Sequence, residues 1–205
     1  MQRQYHIFQS LDSTNCWAKR NLESFPHDQL TLITAAYQTQ GRGTHGRTWH
    51  APPHTNLLLT FVFFVDEQAD PLRLTHLLGI AICTWLKQLG LEAYIKWPND
   101  ILVKGKKLAG ILCETQRMNH VDAIILGLGL NVNMQDVTHI DQAATSLFLE
   151  TGKMWELNTV LQIISDLFHD NLEVYKKRGF APFVDSEIKV VKSKDQGLPL
   201  SLDAL

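Results

Sequence analysis

The chain has 205 residues, room for one substantial domain and a small appendage. Hydrophobic residues make up 45% and charged residues 20%, the balance of an ordinary soluble globular protein. The formal net charge of −2 excludes a global basic field that would draw the chain to nucleic acid.

The N-terminus, MQRQYHIFQS, has no basic segment followed by an apolar one, so no secretory signal is expected. Residues 5–9, YHIFQ, read as a short strand, and Asp12, Ser13 or Thr14 is placed to cap a helix through Trp17, Ala18 and Leu22. TLITAAY (31–37) is a β-rich run that enters a glycine-rich loop. NLLLTFVFFV (56–65) is an apolar run expected to be a strand buried on both faces, and it is far shorter than a membrane span. Residues 71–90 open with Pro, close with Gly and carry apolar residues at helical spacing, which predicts a long packed helix. AYIKW, DILVKGKKLAGILCET and VDAIILGLGLNV follow as strands, with KGKK (104–107) turning a hairpin through Gly105. A second helix over 158–179 ends in basic residues and a Gly cap. Strand runs separated by a few helices indicate α+β: a mixed, largely antiparallel sheet with helices on one face. Residues 1–180 form the expected domain. The tail, 181–205, offers one short strand at most (IKVV) and reads as a loose terminus or the remnant of a second module. Cys16, Cys83 and Cys113 lie far apart without CxxC or Cys/His ligand spacing, as reduced thiols of a cytoplasmic protein do.

The loop GRGTHGRTWHAPP (41–53) joins backbone freedom to positive charge, a combination suited to an anion lying close to main chain. GRGTHG matches the dinucleotide fingerprint GxGxxG, and Asp66 and Glu67 stand about 20 residues on, where a ribose carboxylate would be. That motif needs a helix to start at its end, and Pro52 and Pro53 bar one. No Gly-Lys-Ser/Thr closes the loop, so a Walker site fails too. His45, His50 and His54 lack metal-ligand spacing on one element. Taken alone, the loop is equally well a solvated hairpin.

KWPNDILVKGKKLAGIL (96–112) crowds Lys96, Asn99, Asp100, Lys104, Lys106 and Lys107 around a hairpin. Asp100 reads either as a turn cap or as a carboxylate aimed into a cleft, for a metal or an incoming amine. The small residues after Lys107-Leu108, Ala109 and Gly110, let a ligand lie against the strand. GLGLNVN (127–133) ends an apolar strand with glycines and two asparagines, suited to a sugar, base or phosphate rim or to a plain turn.

In this order and at these intervals, Ser13-Thr14-Asn15, Gln38, GRGTHGRTW, KWPND, KLAGIL, GLGLN and ATSL (144–147) resemble the biotin protein ligases over residues 5–180. The resemblance implies the fold shared with class II aminoacyl-tRNA synthetases. It also implies a two-step reaction: biotin carboxylate attacks the ATP α-phosphate to give biotinyl-5′-AMP, with Mg²⁺ carried on the ATP. A lysine of the biotin carboxyl carrier protein of acetyl-CoA carboxylase then attacks the mixed anhydride. Joining a carboxylate to a polyphosphate brings repelling anions together, so such a site must supply fixed cations and N–H groups.

By position, the resemblance implies that Ser13, Thr14, Asn15 and Gln38 hold biotin and that Gly41 and Gly110 let its bicycle approach backbone. It implies that Arg42, Arg47 and Lys107 neutralise carboxylate and phosphates. Arg42, Lys107 and Asp100 form the catalytic set, with Asp100 orienting the acceptor lysine and taking its proton. Trp49, Asn99 and Asn131 face the nucleotide, and no protein cage for a metal is implied. Two departures stand out. The family's usual GRGRxGR has arginine at the fourth position, where Thr44 stands here, with His45 beside it as an offset. The second is length: most of the family's small C-terminal β-domain, and the N-terminal helix-turn-helix of members that repress transcription, are expected to be absent. No DNA binding and no membrane partner are expected, and a homodimer through a sheet edge is left open. The rival readings are a lipoate or octanoate ligase or transferase, and a degenerate biotin-binding protein without catalysis.

Overall fold

The computed structural model describes residues 1–65, 70–118, 120–184 and 186–192. Asp66 and Glu67, and the tail beyond 192, lie outside the described residues. Eight strands form one sheet among them: β1 (Gln2–Phe8), β2 (Gln29–Ala35), β3 (Leu57–Val65), β4 (Ala93–Lys96), β5 (Asp100–Val103), β6 (Lys106–Met118), β7 (Val121–Leu130) and β8 (Val190–Val191). Their order is β1-β2-β3-β7-β6-β5-β4-β8. Only the outer pairs β1/β2 and β4/β8 run parallel; the rest is antiparallel.

Strand parity decides what each face does. Leu57, Leu59, Phe61 and Phe63 of β3, with Ile124, Leu126, Leu128 and Leu130 of β7, enter the large core beneath α2 (Pro71–Gln88) and α4 (Leu157–Arg178). α4 supplies Val160, Leu161, Ile164, Phe168 and Leu172 at helical spacing, and Phe168 packs 4.6 Å from the Phe61 ring. The alternate residues, Val62, Phe64, Ala123 and Ile125, meet Ala18 of α1 (Thr14–Arg20) and Leu22 on the opposite side. The expectation of helices on one face therefore holds for the two long helices only. α1 covers part of the second face, and the remainder of that face carries the cleft described below. Two shorter helices, α3 (Leu147–Thr151) and α5 (Ala181–Val184), complete the described α-helices. Phe183 of α5 and Val190 of β8 belong to the large core. No described helix is long and apolar enough to cross a membrane.

Local chemistry sets the boundaries. Asp70 caps α2, accepting from the Leu72 and Arg73 amides at 3.0 and 3.3 Å, and Pro71 occupies the first turn, where its missing N–H costs nothing. Asp70→Ala should lower stability by about 1 kcal/mol in denaturant unfolding without altering the cleft. The β5–β6 turn places Lys104 and Gly105 at φ 49° and 77°, the paired positive values of a tight hairpin turn. The β5–β6 register slips between Ile101 and Leu102, leaving Leu108 as an extra residue. Such a bulge re-aims its neighbours, and here the neighbour is Lys107.

Candidate active site

The cleft lies on the α1 face of the sheet, over a floor of glycines. Gly110 of β6 sits opposite Gly129 of β7, and Leu112 opposite Gly127. A Cβ on Gly129 would lie 2.3 Å from the Trp49 ring, and one on Gly110 would lie 3.1 Å from the same ring and 3.3 Å from Lys107 Nζ. The Trp49 indole and the Lys107 stem therefore rest on bare backbone. The cleft opens between this floor and the glycine loop.

One end of the cleft is neutral and polar. Ser13 caps α1, its hydroxyl accepting from the Cys16 amide at 3.4 Å. Arg20 clamps the preceding Asp12 through both carboxylate oxygens, at 2.7 and 2.8 Å. The Arg20 hydrogen bonds hold the Asp12 carboxyl down to about 2 from its usual 3.8. A depressed carboxyl stabilises the fold above its unfolded value, so this brace is lost only as pH falls from about 4 toward 2. The chain at 37–40 zips onto residues 11 and 12 through Leu11 N to Tyr37 O, Thr39 N to Leu11 O and Gln40 N to Asp12 O. That zipper brings Gln38 Oε1 to 2.7 Å from the Thr14 amide and 3.0 Å from its hydroxyl.

The other end is cationic. Lys107 Nζ lies 2.7 Å from Asp100 Oδ1, with both side chains mostly buried (14% and 16% exposed), and 5.5 Å from the Trp49 ring centre. The backbone of Lys107 is also fixed, donating to Ala143 O and accepting from Thr145 N. Arg42 and Arg47 project from the loop above, and neither makes an ion pair among the described residues. Two free guanidinium groups and a paired ammonium facing one space form an anion receptor. No cluster of three or more His, Cys, Asp or Glu able to hold a metal occurs among the described residues.

Of the residues expected from sequence, Ser13, Thr14, Asn15, Gln38, Arg42, Arg47, Trp49, Asn99, Lys107 and Gly110 line this one cleft. Asp100 reaches it through Lys107. Asn131 does not: it is buried, accepting from Asn56 Nδ2 at 3.1 Å and donating to Thr145 O at 3.0 Å. It ties the end of β7 to the 143–146 segment. Gly41 is also reassigned. A Cβ there would meet Trp49 O at 2.4 Å, so the glycine serves closure of its own loop, where Trp49 N donates to Gly41 O. The Asn15 amide is fully occupied by protein, donating to Leu112 O and Glu114 and accepting from Thr60. Asn99 gives its amide proton to Ile111 O, pinning the start of β5 against β6. The sequence reading missed Thr60, Glu114 and Gln142. Thr60 had a signal: it is the one hydroxyl in the run NLLLTFVFFV.

With this geometry in place, the relationships follow. Residues 7–131 match the biotin/lipoate A/B protein ligase family, and the chain belongs to it. It is similar to the bifunctional ligase/repressor BirA of Bacillus spizizenii, with 33% identity over 186 residues that cover 87% of this chain and 57% of that protein. To the bifunctional ligase/repressor BirA of Escherichia coli it is 30% identical over 179 residues, 85% of this chain and 55% of that one. The solved structure of a biotin protein ligase from Aquifex aeolicus in complex with biotin and ATP superposes with a TM-score of 0.74 at 30% identity, covering 88% of this chain and 75% of that one. The chain spans little more than half the length of these two curated relatives.

Proposed function

We propose that this chain activates biotin with ATP to biotinyl-5′-AMP and passes the biotinyl group to a lysine of a biotin carboxyl carrier protein. The observation that carries the reading is the polarity of the cleft: hydroxyl and amide groups at Ser13, Thr14 and Gln38, a glycine floor, then Arg42, Arg47 and Lys107. A ureido ring fits the first end and a carboxylate meeting a triphosphate fits the second. The names of the similar ligases support the same substrates.

In this reading Lys107, Arg42 and Arg47 offset the charge of carboxylate and α-phosphate, so that the two reach attacking distance; the contribution is positioning and preorganised charge. Mg²⁺ arrives on the ATP phosphates. Asp100, 2.7 Å from Lys107, is the carboxylate at hand to receive the proton of the acceptor ammonium, which must leave before the amine attacks. The carrier is that of acetyl-CoA carboxylase, the reaction is cytoplasmic, and DNA is not a partner of this domain.

A linear acyl acid such as lipoate is the second reading, and it leaves the polar end without a partner. Incubating the protein with Mg-ATP and biotin, lipoate or octanoate separately, and detecting acyl-AMP by mass spectrometry, decides between them. Biotinyl-AMP alone is the expected product; adenylate from only the linear acids overturns the reading.

Thr44 lines the cleft where the resemblance leads one to expect arginine. Thr44→Arg should slow release of biotinyl-AMP about 10-fold, the scale of one added charge-assisted hydrogen bond. An unchanged or faster release, measured in a filter-binding chase, would show that Thr44 does not loosen the intermediate.

A further inference from the structure

β7 stops short of Lys107. Its last residue, Leu130, pairs with Ala109, and Asn131 N donates to Leu108 O at 2.9 Å. Beyond that point residues 143–145 take the place of the strand. Lys107 N donates to Ala143 O at 2.8 Å and Thr145 N donates to Lys107 O at 2.9 Å, a short parallel bridge centred on Ala144. Both backbone polar groups of Lys107 therefore bond to this strap. Where the strap sits decides where the ammonium at the far end of the side chain can stand.

The strap is anchored from α3. Thr145 Oγ1 donates to Glu150 Oε1 at 2.7 Å, and Lys104 Nζ lies 3.0 Å from Glu150 Oε2. One carboxylate thus joins the strap to the β5–β6 turn. The Glu150 side chain is 7% exposed and that of Lys104 is 72% exposed. An ion pair with so exposed a partner contributes little, so the buried Thr145 hydroxyl makes the firmer hold. Burial pushes the Glu150 carboxyl up, but the Thr145 hydroxyl and the Lys104 and Lys106 ammonium groups outweigh it and hold the carboxyl below its usual range. Glu150 itself is not among the residues lining the cleft.

We propose that Glu150 is a positioning residue for adenylation: through the Thr145 hydroxyl it fixes the strap, and through the strap it fixes the Lys107 ammonium beside Asp100. The inference rests on the ligase reading, in which Lys107 meets the carboxylate and the α-phosphate. Glu150 touches neither substrate, so its effect on the rate passes through Lys107. Without the carboxylate the Thr145 hydroxyl loses its anchor, the strap shifts, and the ammonium leaves its alignment.

Positioning and general support of the fold give different results in a double-mutant cycle. Single-turnover formation of biotinyl-AMP is measured for Glu150→Ala in the wild-type and Lys107→Met backgrounds, with melting temperatures alongside. Glu150→Ala should slow adenylation about 10-fold in the wild type, short of the roughly 10²-fold that a displacement of about 1 Å can cost. In the Lys107→Met background it should cause no further loss, because the group it aligns has gone. Glu150→Gln keeps an oxygen for Thr145 and gives up only the exposed ion pair, so it should react nearly as wild type. Thr145→Val should match Glu150→Ala, and it carries the cycle if the alanine variant melts below assay temperature. Equal losses in both backgrounds, or a Glu150→Gln variant as slow as Glu150→Ala, overturn the inference and leave a wild type that forms biotinyl-AMP as a ligase. If the wild type adenylates octanoate and not biotin, the biotin reading falls alone. The same cycle run with octanoate then decides the inference, since Lys107 meets the carboxylate of either acid. A wild type that adenylates neither acid overturns both.

Discussion

A Lys107→Ala variant is expected to form biotinyl-5′-AMP about 10²- to 10³-fold more slowly than wild type, the usual cost of deleting one preorganised donor from a site of developing negative charge. The effect has two parts. The ammonium that faces the incoming anions disappears, and Asp100, 2.7 Å away and mostly buried, loses its partner. An unpaired carboxylate at that point repels the same anions the site must gather and is costly to bury. The double variant Lys107→Ala/Asp100→Ala separates the parts. It should recover the melting temperature lost by the single variant while leaving adenylation slow in a single-turnover assay. Lys107→Met keeps the stem over Gly110 and against Trp49 and should be as slow as alanine. If the methionine variant reacts at wild-type rate, Lys107 contributes packing and not charge.

The long elements were legible because their signals are local. The apolar β3, the Pro-to-Gly span of α2 and the basic end of α4 each state their own boundaries, within a residue or two. The hairpin at Lys104-Gly105 was equally plain. The second face of the sheet was not. Placing α1 on it depends on the parity of β3 and β7, which no single segment records. The cleft residues were legible through the family resemblance and much less through spacing: Gln38 and Thr14 lie 24 positions apart and meet only because residues 37–40 zip onto 11–12. The buried contacts of Asn131 were not legible because an amide after a glycine-rich strand suits a phosphate rim and a buried tie equally well. Its two hydrogen bonds, to Asn56 and Thr145, come from distant segments. Thr60 and Glu114 were missed for the same reason, since a hydroxyl inside an apolar strand gains meaning only when its cross-strand neighbour is known. That neighbour is Gly127, beneath the Asn15 amide.

Gly129→Ala should weaken biotin about 10- to 100-fold, the affinity equivalent of the roughly 1–3 kcal/mol that overpacking a closed contact costs. The added methyl would stand 2.3, 2.6 and 2.7 Å from Trp49 Cε2, Cζ2 and Nε1, distances no pair of atoms tolerates. The indole must leave the floor, and its backbone has little room to retreat. Trp49 N is bonded to Gly41 O at 2.9 Å, and Gly41 already lies so near Trp49 O that a Cβ there would sit at 2.4 Å. The ring therefore swings toward the space a ligand needs. The Lys107–Asp100 ion pair is kept, so the loss should fall mainly on KM for biotin and leave kcat near wild type, the signature of lost ground-state binding. Gly110→Ala offers a graded comparison on the facing strand, with its nearest contacts at 3.1 to 3.3 Å. It should cost less than Gly129→Ala. If the order is reversed, Trp49 is not held by the β7 glycine, and the floor of the cleft is set from β6 instead.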